Sequence, residues 1–109
     1  MFGSRKPLGE LPIPPDAQTD EDARELIRAW AAHRGLHCSL SVNNWGDNER
    51  TAWGILLTDI VRHIADAMHE QHGWDRAESI REIRRVFDAE LNSPTAETSG
   101  KLEEEQEEK

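Results

Sequence analysis

The stretch ELIRAWAAHRGLHCSLSVN, Glu25 to Asn43, decides the fold, because its second half reads one way and its first half reads two. Leu36, Cys38, Leu40 and Val42 alternate with His37, Ser39, Ser41 and Asn43, the period of two that marks a half-buried β-strand. A lone strand leaves its backbone donors and acceptors without partners, so a second strand must come from this chain or from another. The nearest candidate is Glu25 to Ala32. Its composition favours helix by propensity. Its place just before His33-Arg34-Gly35 instead suits a hairpin with a three-residue loop, in which Gly35 takes the left-handed position. The expectation is a short helical turn over Asp20 to Arg24, a strand to about Ala32 and a second strand from Leu36, with helix through Ala32 as the alternative.

Downstream, Trp53, Leu56, Leu57, Ile60, Val61, Ile64, Ala67 and Met68 recur at spacings of three and four, the stripe of an amphipathic helix running from Glu49 to Gln71. Asp47 or Asn48 can cap its start and Gly73 ends it. A last helix begins at Asp75, where Asp75 and Glu78 make the D-x-x-E pattern of a capping box, and Ile80, Ile83, Val86, Phe87 and Leu91 form its buried side. Asn92-Ser93-Pro94 stops it. Upstream, Gly9 to Asp20 is rich in proline and without helical period, so it reads as an extended arm laid against the body by Leu11 and Ile13. The fold class expected is α+β: a small two-stranded antiparallel hairpin packed on two antiparallel α-helices.

The 109 residues suit one domain over residues 1–95, followed by an acidic tail over 96–109 that has almost nothing apolar to bury and is expected to be disordered. The formal net charge is −9. The last fourteen residues supply −4 of it through six glutamates and two lysines, leaving a body that is still acidic. An acidic body with no basic stripe lacks the electrostatic term that dominates affinity for nucleic acid, and an anionic membrane surface is disfavoured for the same reason. No apolar run approaches the roughly 18 residues of a membrane span, and the N-terminus lacks a secretory h-region, so a cytoplasmic protein is expected. The single cysteine, Cys38, agrees, since it has no partner for an internal disulfide.

Three motifs in order, ELPIPP at Glu10 to Pro15, W-G-x-L-L-x-D-x-x-x-H at Trp53 to His63, and F-D-A-E at Phe87 to Glu90 followed by Ser93-Pro94-Thr95, carry a resemblance. The chain resembles a family of small uncharacterised bacterial proteins known as a domain of unknown function. The resemblance covers roughly Gly9 to Thr95 and implies a hairpin around the positions of Ala29 to Cys38, where family members often place β-branched residues about an aspartate-glycine or glycine-glycine turn. This chain has alanines and His33-Arg34 there. The family implies no reaction and no ligand.

Asp59, His63, Asp66 and Glu70 fall within about 60° of one another on a helical wheel, making an acidic stripe around one imidazole, well over 90° from the centre of the apolar face. As a solvated flank this stripe needs only i,i+4 pairing such as Asp59 with His63. As chemistry it would be a metal site or an acid/base pair. Zinc hydrolase helices carry H-E-x-x-H, however, whereas His63, His69 and His72 stand six and three apart, and His63 lies about 120° from His69. No metal site is expected. His37 and Cys38 adjoin in a strand, point to opposite faces and cannot form a nucleophile and base there. Gly35, Gly46 and Gly54 are isolated, which removes the glycine-rich nucleotide loops, and no cofactor is expected.

Of the four tryptophans, Trp53 and Trp30 read as core residues, while Trp45 and Trp74 sit at element junctions where a ring can cover a helix end or meet a partner. The candidate binding residues are therefore Trp45, Trp74, Asp59 and His63. Two functions follow. One is a non-catalytic protein-interaction module, a homodimer made by sheet continuation or helix packing that supplements a small core. The other is a small enzyme, or a ligand- or metal-binding protein, using Asp59 and His63. What separates them is whether Asp59 and His63 face a concave pocket or open solvent.

Overall fold

The computed structural model describes residues 9–93 and the backbone of Leu102 and Glu103. The hairpin is present and the helical alternative for its first arm is not. Strand β1, Ile27–Ala32, pairs antiparallel with β2, Gly35–Leu40, in a register running from Ile27 opposite Leu40 to Ala32 opposite Gly35. The Ser41 N–H donates to the Leu26 carbonyl at 2.9 Å and extends the ladder by one bond. Tertiary pairing has overridden the helical propensity of the alanines, as it routinely does when a strand needs a partner.

The turn differs from the expected three-residue loop. It has two residues, His33 at φ 49° and Arg34 at φ 63°, and Gly35 lies within β2. Two left-handed residues in succession are the mark of a type I′ hairpin turn, whose twist matches that of the strands it joins. Asparagine and glycine usually fill those positions, because a side chain costs about 1–2 kcal/mol in the left-handed region. The chain accepts that strain because the alternative splays the strands.

The expected helical turn at Asp20 to Arg24 lies earlier. Helix α1 is Pro15–Thr19, a single turn with Pro15 in its first position and Pro14 before it. Proline is pre-set for a first helical residue and needs no N–H there, which is why the turn starts at the prolines rather than after them. From Glu10 to Pro14 the arm is neither helix nor strand. Gln18 donates to the Ile13 carbonyl at 2.8 Å and folds the arm back on the turn.

Helix α2, Glu49–His72, and helix α3, Arg76–Asn92, pack against each other. Gly73, at φ 72°, donates its N–H to the His69 carbonyl at 2.8 Å and ends α2 in the left-handed conformation. Asp75 accepts the Glu78 N–H at 2.9 Å and starts α3 as the capping pattern predicts. The start of α2 is built differently from expectation: Gly46–Asn48 is a turn of 3-10 helix, and neither Asp47 nor Asn48 caps α2 with its side chain. Leu102–Glu103, β3, runs parallel beside β2, with Cys38 opposite Leu102. The rest of the expected acidic tail lies outside the described residues.

The expected core is largely uncovered. Ala65, at 1% exposure, is the one buried residue among those described. Val86, Phe87 and Leu91, read as the inner side of α3, are 40%, 52% and 70% exposed, and Leu36 of β2 is 54% exposed. Trp53, Leu56, Ile60, Val61 and Met68 are half-buried. The periodicities are those of inward faces. Within one copy, however, no Cα of β1 or β2 comes within 8 Å of a Cα of α2 or α3 among the described residues.

Candidate functional site

The space between hairpin and helix is a groove of about 950 Å³. The arm supplies Leu11, Pro12 and Ile13 to its wall, β1 supplies Ile27 and Trp30, and α2 supplies Ala52, Ile55, Leu56, Asp59 and Ile60, with Trp45 at the junction. Its charged groups are carboxylates and guanidinia: Glu10, Glu25, Asp59, Arg24 and Arg28. Arg28 binds Glu25 at 2.9 Å and Glu10 at 3.3 Å, which raises its pKa, chiefly through the hydrogen bond and charge of Glu25. No imidazole, thiol or hydroxyl lines the groove among the described residues.

The four candidate residues are distributed rather than gathered. Asp59 is on the groove wall and pairs with Arg62 at 3.3 Å, one turn along the same helix, with both side chains more than half exposed. His63 is exposed and outside the groove lining. Asp66, on the same flank, reaches Arg76 of α3 at 2.8 Å and ties the two helices together. Trp45, 39% exposed, stands at the groove and near the start of α2. Trp74, 55% exposed, stands just past the other end and stacks on His72 at 4.7 Å between ring centroids and 29° between planes. The 24 residues of α2 put roughly 36 Å between those ends, so the two tryptophans serve separate surfaces. Among the described residues no three of His, Cys, Asp and Glu come together as metal ligands would.

Glu49 was missing from the candidates and organises the junction. Its Oε1 accepts the Asn44 N–H at 3.0 Å and the Trp45 N–H at 2.8 Å, while Oε2 accepts the Trp53 indole N–H at 3.0 Å. Desolvation pushes the Glu49 pKa up, but the N–H donors of Trp45, Asn44 and Trp53 outweigh it and hold the carboxyl below its ordinary value. One carboxylate thereby fixes the end of the hairpin connection, the position of Trp45 and the first turns of α2. Its sequence signal was an acid four residues after one tryptophan and four before the next.

A family model described as a domain of unknown function, DUF5076, matches residues 10–95. The chain belongs to this family. A solved structure from the photosynthetic bacterium Rhodopseudomonas palustrus, described as a "putative pyruvate dehydrogenase", is similar to this chain at 33% identity and a TM-score of 0.63. The similarity covers 93% of this chain and 97% of that one. Comparison with curated proteins gives no match. No helix among the described residues is long and apolar enough to cross a membrane.

Proposed function

We propose that this family member is a cytoplasmic, non-catalytic protein-interaction module that works as a homodimer. The observation that supports it is the ratio of exposed to buried apolar surface. Among the described residues, twelve large apolar side chains are between 38% and 84% exposed, while Ala65 alone is buried. At about 150–200 Å² for a full aliphatic side chain and up to about 250 Å² for tryptophan, those twelve expose roughly 1,200 Å² of one copy. A standard interface takes about 800 Å² from each partner. Spread over the arm, the hairpin and both helices, that apolar surface stands beside a core reduced to Ala65 among the described residues, and a second copy is what would cover it.

Catalysis has less support. An enzyme reading needs acid, base or nucleophilic groups that converge on one concave site. The groove offers carboxylates and guanidinia, with no imidazole, thiol or hydroxyl to pair with them among the described residues. Asp59 and His63 do not converge on a concave surface, since the groove takes in Asp59 and not His63. Trp45 and Trp74 are better placed as contact residues on separate partner surfaces.

Sedimentation equilibrium tests the reading. A species of twice the 12.4 kDa chain mass at micromolar concentration is expected. A cooperatively folded species of one chain mass would refute it.

A further inference from the structure

Helix α2 faces the groove on one side and buries Ala65 on the opposite one. At 100° per residue, the groove-lining Ala52, Leu56 and Asp59 centre about 180° from Val61, Ala65 and Met68, the side that holds the buried Ala65. No residue of α3 lines the groove of its own copy. Phe87 and Leu91, one turn apart on α3, are left 52% and 70% exposed and lie outside the groove of their own copy.

We infer that the groove is the seat for the C-terminal half of α3 from a second copy, with Phe87 and Leu91 entering between β1 and α2, and that the exchange is reciprocal about a two-fold axis. This rests on the homodimer reading. Size is of the right order for the occupant: two turns of α-helix with side chains, about 11 Å long and 10–12 Å across, occupy roughly 900–1,200 Å³. The groove measures about 950 Å³. Separation supports it too, because the hairpin and α2 backbones stand too far apart to touch and near enough to hold one helix between them. Charge agrees: Arg84, three residues before Phe87 and on the same side of α3, comes in beside the groove-wall Asp59. Each copy then completes the other's core, as an isologous interface requires.

The test joins two single-cysteine proteins, both also carrying Cys38→Ser. One carries Ile55→Cys on the groove wall and the other, with a tag that changes its mass, carries Leu91→Cys. Both positions are more than 60% exposed within one copy, so neither change removes a buried side chain, and far-UV circular dichroism checks the fold. The two are unfolded, mixed, refolded and treated with a short bis-maleimide. A mixed-mass cross-linked product is expected, with at least a tenfold loss of cross-linked dimer when either protein is treated alone. A dimer by sedimentation in which positions 55 and 91 fail to join, or in which Leu57→Cys joins itself instead, overturns the α3 seat and leaves the homodimer standing. A folded species of one chain mass overturns both.

Discussion

Tenfold dilution is expected to lower the thermal midpoint by about 4 °C. If the folded unit is two copies, unfolding releases two chains and the midpoint follows concentration by mass action. Each tenfold step is worth RT ln 10, about 1.4 kcal/mol per dimer. Residues 9–93 of each copy are ordered, and at about 2.1 cal/mol/K per residue a dimer of that size gains roughly 360 cal/mol/K on unfolding. Dividing the first by the second gives the shift. Circular dichroism at 222 nm, followed over a hundredfold range of concentration, should show about 8 °C between the extremes. Tryptophan fluorescence should move in parallel, because Trp30, Trp45 and Trp53 surround the junction and groove that the partner would cover. A midpoint constant to within about 1 °C over that range would mean that one copy sustains the fold, and the inference drawn from Ala65 and the twelve exposed side chains would fail.

Ala65→Leu should destabilise the protein by about 1–3 kcal/mol in urea, because extra methylenes at a position 1% exposed force α2 and α3 apart; a loss below about 0.5 kcal/mol would place Ala65 outside the helix contact. Replacing His33-Arg34 with Asn-Gly should raise stability by roughly 1 kcal/mol, since both positions are left-handed and the new residues accept that conformation; a fall in the urea midpoint would count against the type I′ turn. The Glu49 carboxyl is held below its ordinary pKa of 4.5 when folded, so its contribution is fully present above that pH and is lost as pH falls through the lowered value. The stability gap between wild type and Glu49→Gln should therefore narrow below pH 4.5, and a gap unchanged down to pH 3 would remove Glu49 from the junction. Calorimetric titration with zinc at neutral pH should show no stoichiometric submicromolar binding, and such binding abolished by His63→Ala would reinstate the acidic flank as a site.

How much of this fold can be read from the chain depends on how local its cause is. The α2 stripe from Trp53 to Met68, the Gly73 stop and the Asp75-Glu78 cap are decided within one or two turns, and each is found in place. The β1 segment was legible only because β2 demanded a partner, a non-local argument that opposed the propensity of its alanines. The turn was misread for a related reason. Glycine is the usual left-handed residue, and nothing local says that His33 and Arg34 take that role while Gly35 enters the strand; the register of the ladder decides it. Burial was the least legible, because periodicity says which side of an element seeks cover and not which molecule provides it.

The same limit governs the candidate site. A helical wheel puts Asp59, His63, Asp66 and Glu70 on one flank, and that much is geometry internal to α2. What each does is set from outside the wheel. Asp66 reaches across to Arg76 because Gly73 turns the chain and α3 starts beside the end of α2, whereas Asp59, about two turns earlier, pairs with Arg62 of its own helix at the groove wall. One flank is thus divided between a helix-to-helix tie and the rim of an apolar groove. Glu49 shows the converse. It carries the most consequential contacts of any acid in the junction, yet reads as an ordinary first-turn residue, because its partners are two backbone N–H groups of a loop whose path is not written locally. Residue types that announce chemistry here do structural work at separate places, and the feature most able to bind something is the apolar gap between them. That gap belongs to one copy only as long as no second copy fills it.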